Sequence, residues 1–147
     1  MHLLAPADAG GLERVVHSLA VGQHLGGHRV VVVPVVERWD PDHTFATPLE
    51  RAGVELRPLE APARGYLLER AAFARILDEV APDVVHSHGY HTDVVDGDVA
   101  RRAGIATVST APGFTKGPWR NRLYEYRDTR ALKRFDAVVA VSRPLAE

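Results

Sequence analysis

The sequence has no cysteine, a single methionine and only two lysines among its 18 basic residues. Without cysteine, a disulfide framework and any thiolate-ligated zinc site are excluded. Long apolar runs are missing too. The longest, residues 30–36, contains Pro34 and falls far short of the roughly 20 residues that cross a bilayer. The opening Met1-His2-Leu3-Leu4-Ala5-Pro6 has neither a basic n-region nor an extended apolar h-region. It does not read as a secretory signal, and a cytoplasmic protein is expected. No aromatic-plus-basic stacking platform or groove-reading motif is visible, so nucleic acid is not an expected partner. The phosphate-binding patterns G-x-G-x-x-G and G-x-x-x-x-G-K-[ST] are both absent.

What is present is an ordinary globular balance. Of the 147 residues, 46% are hydrophobic and 25% charged, which suits one domain with a real core. Charge is uneven along the chain. Residues 1–100 carry 8 basic and 15 acidic side chains, and residues 101–147 carry 10 and 4. Most of that basic surplus reads as solvated helix surface.

Apolar periodicity alternates between short strands and amphipathic helices. Strands are expected at 2–5, 28–36, 54–59, 84–88, 105–110 and 137–141. Helices are expected at 12–25, 48–52, 66–80, 93–103 and 119–135. The first long helix has its stripe at Leu12, Val15, Val16, Leu19, Ala20 and Leu25, and Gly26-Gly27 stops it. The stripe of the 66–80 helix is expected at Leu67, Leu68, Ala71, Ala72, Ile76 and Val80. Valine-rich strands joined by connections of a dozen residues imply a parallel sheet covered on both faces. The expected architecture is a doubly wound, mainly parallel, Rossmann-like α/β sheet of six strands. Ser142 to Glu147 read as an N-cap and the first turn of a further helix, so the unit is expected to belong to a longer chain.

Candidate binding residues gather where strands end. Gly10-Gly11 lie between the first strand and the first helix, where free N–H groups favour a phosphate. The alternative is a tight turn that needs positive φ. The run His86-Ser87-His88-Gly89-Tyr90-His91-Thr92-Asp93 is the densest polar cluster. His86 is expected to be buried under a helix, with His88, Gly89 and His91 nearer the open edge. That edge could face a phosphate or sugar. It could also bind a metal, since H-x-H-x-x-H loosely echoes the H-x-H-x-D-H of metallo-hydrolases. Tyr90 stands where that motif has its Asp, and no metal site is expected. Gly113, in the loop 111–118, and Ser142 leave later strands at the same edge. The basic amphipathic segment 119–135 could touch an anionic membrane surface or pack on the sheet.

Four segments together resemble the N-terminal domain of a family 4 glycosyltransferase of the GT-B fold. Gly10-Gly11-Leu12-Glu13-Arg14 is similar to that family's G-G-x-E-R opening, and Leu19-Ala20 through Gly27-His28-Arg29-Val30 to its continuation. Pro82-Asp83-Val84-Val85-His86-Ser87-His88 resembles its P-D-[VI]-[VI]-H-x-H segment, and Asp136-Ala137-Val138-Val139-Ala140-Val141-Ser142 its D-A-[VI]-[VI]-A-V-S strand. The resemblance covers residues 1–147 as the acceptor-side half, with the C-terminal donor-binding domain and its E-x₇-E motif absent. It implies transfer of a sugar from a nucleotide-sugar to a sugar or lipid-linked acceptor. The anomeric configuration would be retained, with no cofactor and usually no metal ion, in cell-envelope polysaccharide synthesis. Contact with the inner face of a membrane through 119–135 fits that setting. It also implies that Glu13 and Arg14 fix the helix and do not meet substrate. Many members carry His-Gly-Phe where this chain has Pro112-Gly113-Phe114. The catalytic residue is therefore unknown, with His88 a candidate. A half-enzyme inactive alone and a non-catalytic Rossmann-like binding module both remain open.

Overall fold

A computed structural model describes residues 1–7, 10–111 and 132–140. The chain runs β1 (His2–Leu4), α1 (Gly11–Leu25), β2 (Val31–Val36), α2 (Ala46–Arg51), β3 (Glu55–Leu56), β4 (Leu59–Glu60), α3 (Tyr66–Val80), β5 (Val84–His88), α4 (Tyr90–Val95), α5 (Gly97–Arg102), β6 (Ala106–Ala111) and β7 (Ala137–Ala140). All strand pairs are parallel, in the order β3-β2-β1-β5-β6-β7, with β4 also paired to β2. This is the doubly wound arrangement expected from the sequence. Direction of winding reverses between β1 and β5.

Strand parity sorts the core. Leu3, Val31, Val33 and Val85 face one side and pack with Phe73, Leu77 and Ala100. Leu4, Val30 and Val32 face the other and pack with Val16, Ala20, Phe45 and Leu49. Side chains alternate along a strand, so a valine-rich run supplies both layers at once. The strand expected at 54–59 is split into β3 and β4 around Arg57-Pro58. Proline has no N–H for the ladder. The Arg57 N–H still reaches the Val32 carbonyl at 2.9 Å, and pairing resumes with β4.

Both stripe assignments hold only in part: Val16, Ala20 and Val80 are buried as expected, and Ala72 and Ile76 pack against the core. In α1 only Val16 and Ala20 are buried, and Leu25 is 79% exposed. In α3 the buried residues are Glu69, Phe73, Leu77 and Val80. Phe73 sets that rotation: it is fully buried, and its i−4 and i+4 neighbours share its face. Leu67 and Leu68, six and five residues before Phe73, are left 85% and 63% exposed. The helix expected at 93–103 begins earlier and breaks in two at Asp96. Gly89, at φ +91, turns the chain sharply after β5, a conformation that strains any L side chain. Of the helix expected at 119–135, residues 119–131 lie outside the described residues, as does the final helix from Ser142.

Truncating Phe73 removes the largest fully buried side chain among the described residues. Phe73→Ala should cost about 3–5 kcal/mol in urea unfolding, whereas Leu67→Ala should change the midpoint little. Equal effects from the two variants would contradict this placement of the α3 stripe.

Candidate functional site

In an open parallel sheet, ligands bind beyond the carboxyl ends of the strands where the order reverses. Here that crevice lies between β1 and β5, flanked by Gly10-Gly11 at the start of α1 and Gly89 at the start of α4. The tight-turn alternative for Gly10-Gly11 is overturned. Gly10 sits at φ −165 and ψ 173, extended backbone open to any residue, and Gly11 is not among the positive-φ glycines. A Cβ on Gly11 would meet nothing within 4 Å, so the backbone there faces open space. A Cβ on Gly10 would run into the Glu13 carboxylate. That carboxylate accepts the Ala7 N–H at 2.7 Å and ties down the connection from β1. Among the described residues no side chain caps α1, which leaves its first N–H groups available to an anion.

The polar run after β5 does not form one cluster. His86 and His88 share the α1 face of the sheet with His2, which pairs with His86 in the parallel register. The three rings lie close, with His86 and His88 stacked at 4.1 Å between centroids. Gln23 Oε1 lies 2.8 Å from His2 Nε2. If that amide oxygen accepts, His2 Nδ1 is itself an acceptor for the His88 Nε2–H at 3.0 Å. His88 Nδ1 is then a buried lone pair without a partner. His86 Nε2 bonds Thr110 Oγ1 at 2.8 Å. Burial, above all, lowers the pKa of His2 and His86 to about 4 and that of His88 to about 2. The group is neutral at pH 7.

His88 is only 1% exposed, deeper than the half-buried His86. The expectation that His86 is the covered ring and His88 the edge residue is therefore reversed. His91 is carried to the opposite face. Its Nε2 lies 2.6 Å from Glu69 Oε1, and its side chain is 40% exposed. The H-x-H-x-x-H run cannot converge on one ion, because a sheet separates its last histidine from the first two. Gly113, Pro112, Ser142 and residues 119–131 lie outside the described residues.

Three features were not foreseen. His2 completes the histidine group through β1–β5 register, which a single sequence does not encode locally. Asp93, 3% exposed, accepts from Ser87 and, at 2.9 Å, from Ser109, clamping α4 against β5 and β6. Glu69 and Asp96 join His91 in a buried acidic niche, with ligand atoms within 4.8 Å of one another. Burial first, and then the facing Glu69 carboxylate, push the Asp96 pKa up to about 9. A pocket of about 480 Å³ lies elsewhere, at the amino ends of the strands, lined in part by Met1, His2, Arg29, Asp83 and His86. It is not continuous in position with the carboxyl-edge crevice. No helix among the described residues is long and apolar enough to cross a membrane.

Residues 9–147 match the family model described as Glycosyltransferase Family 4. MurG from Acinetobacter baumannii is a similar solved structure, with a TM-score of 0.70 at 14% identity over 98% of this chain and 41% of that one. A glycosyltransferase from Rickettsia africae superposes with a TM-score of 0.68 at 18% identity, over 96% of this chain and 36% of that one. The chain thus spans less than half the length of either structure. No curated protein matches it in sequence.

The buried histidines set an acid limit on stability. Their folded pKa values lie below the ordinary 6.5, so below pH 6.5 the unfolded chain binds more protons than the folded one. Stability should be complete above pH 6.5 and fall as pH drops toward 4. The slope approaches about 1.4 kcal/mol per pH unit for each of the two deeply buried rings, and less for His86. Urea midpoints between pH 7.5 and 5 measure it, and His88→Asn should flatten the curve. A profile level through that range would contradict the neutral, buried group.

Proposed function

Because the chain belongs to Glycosyltransferase Family 4, we propose that it forms the acceptor-side wall of an enzyme that moves a sugar from a nucleotide-sugar to a sugar or lipid-linked acceptor. The observation that carries this reading is the open backbone at Gly11. It opens α1 at the point where the strand order reverses, with uncapped N–H groups and no atom within 4 Å of an added Cβ. In this reading the donor pyrophosphate approaches those N–H groups, because a helix start holds an anion through unpaired donors and a partial positive charge.

A second domain then supplies the other wall of the cleft and most of the nucleotide contacts. The partial coverage of both solved structures supports this division of labour. Transfer with retention, without a cofactor, is the chemistry we assign to the complete enzyme. His88 acts in this scheme as a positioning residue. At 1% exposure it holds the end of β5, while Gly89 and the loop beyond it meet the ligand. Gly113 and Ser142 are assigned to the same edge, and Pro112 leaves that position without a proton-transferring side chain. Membrane-bound acceptors, reached from the cytoplasmic side through the segment 119–135, and a role in cell-envelope synthesis belong to the same reading.

Catalysis that depends on two walls fails with one. Holding donor and acceptor together supplies up to roughly 7–11 kcal/mol of barrier lowering. The 147-residue chain alone should therefore release no nucleoside diphosphate from common nucleotide-sugars above the hydrolysis background. Turnover by the chain alone would overturn the two-wall reading.

In the enzyme with both domains, Gly11→Ala separates binding from folding. The position has ordinary φ and open space, and alanine favours a helix by about 1 kcal/mol over glycine. The melting temperature should hold or rise, while KM for the nucleotide-sugar increases. An unchanged donor KM in the folded variant would remove Gly11 from the site.

A further inference from the structure

Two groups of side chains, on opposite faces of the sheet, offer metal-ligand atoms within 4.8 Å of one another. They differ in what they leave unbalanced. In the histidine group the rings are neutral at pH 7, and Gln23, Thr110 and the His2–His88 contact already engage four ring nitrogens. What that group leaves buried without a partner is the uncharged His88 Nδ1 lone pair, which costs far less to bury than a carboxylate. The niche of Glu69, His91 and Asp96 is another matter. Asp96 is 0% exposed, no N–H or hydroxyl donor reaches either of its carboxylate oxygens, and the group it faces is the Glu69 carboxyl. Glu69 is 3% exposed and meets His91 through one oxygen. The nearby Arg70 is drawn to Asp98, at 3.6 Å, in an ion pair outside the niche.

Buried carboxylates are found paired or holding a metal, because an uncompensated charge in a low-dielectric interior is very costly. We propose that Glu69, His91 and Asp96 bind one divalent transition-metal ion, of the Zn²⁺ or Mn²⁺ class. The charge matches, since two carboxylates offset a dication. The donor set matches as well. One imidazole with two carboxylates suits Zn²⁺ or Mn²⁺, whereas Mg²⁺ and Ca²⁺ favour sites built from oxygen alone. His91, with 40% of its side chain exposed, gives the ion a route from solvent. Without an ion, burial drives Asp96 to hold a proton, which is the alternative way of removing the charge.

The three ligands come from the first turn of α3, the first turn of α4 and the junction before α5. One ion would bind these helices to each other beside the carboxyl-edge crevice. The proposal is independent of sugar transfer.

Calorimetric titration of the 147-residue chain with ZnCl2 and separately with MnCl2 tests it, with MgCl2 as the oxygen-preferring comparison. We expect one equivalent of Zn²⁺ or Mn²⁺ to bind, with a rise in melting temperature, and Mg²⁺ to bind more weakly. Asp96→Asn and His91→Ala should each weaken binding at least about tenfold, and His86→Ala should leave it unchanged. Melting curves without metal verify that the variants fold. Should Asp96→Asn fail to fold, the partly exposed His91→Ala decides the matter. Absence of saturable binding, or unchanged affinity in His91→Ala, would overturn the proposal. So would loss of binding in His86→Ala, which would assign the ion to the histidine group.

Discussion

The pairing of β1 with its two neighbours is the contact on which everything else is built. β1 has three residues, all buried, and is bonded to β2 on one side and β5 on the other. Its register decides which residues share a face. Leu3 joins the core beneath α3 and α5, and Leu4 joins the core beneath α1 and α2. The same register stacks His2 beside His86, and it sets the ends of β1 and β5 level at the crevice. A slip of one residue would exchange the two faces and bring His2 into an aliphatic layer. The polar partners of His2, Gln23 and His88, therefore add a specific penalty to any other pairing.

The two faces of the sheet solve the problem of buried polarity differently. On the α1 side, neutral rings bond one another, Gln23 and Thr110 and leave only a buried His88 lone pair unpartnered, at the cost of a proton affinity far below that of a free imidazole. On the other side, Asp93 is held by two serine hydroxyls, whereas the Asp96 carboxyl meets no hydroxyl or N–H donor and faces a second carboxyl, that of Glu69. The contrast between adjacent helical carboxylates is informative. One is a clamp whose charge is met by donors from β5 and β6. The other is a group whose burial lowers stability unless something neutralises it, and such groups concentrate at functional sites.

Much of the fold was legible in the sequence because local patterns carry it. The 66–80 helix and the 84–88 strand coincide with α3 and β5, and the parallel α/β class follows from valine-rich runs and long connections. Rotation of a helix about its axis was not legible. Leu67 and Leu68 look apolar enough to be core, but Phe73 is larger and fixes which stripe turns inward. Register between distant strands was not legible either, so His2 went unnoticed and His91 was grouped with His88. Their sequence spacing is short, but the turn at Gly89 sends them to different sides of the sheet. The GT-B resemblance, by contrast, depended on ordered motifs and needed neither rotation nor register.

The position of β1 in the sheet also bears on how the chain is made. The strand lies at the centre, yet it comes from the beginning of the sequence, and its partner His86 lies 84 residues later. During synthesis at about 5–20 residues per second, β1 waits several seconds before β5 exists to cover its open edge. In that interval an apolar strand with unpaired N–H and C=O groups is exposed beside β2, as a template for any other extended chain. Contacts this distant in sequence also slow folding once the chain is complete. Placing β1 at the middle of the sheet, far in sequence from one of its two neighbours, makes the molecule most vulnerable to misassembly until β5 has been made, however stable the completed domain.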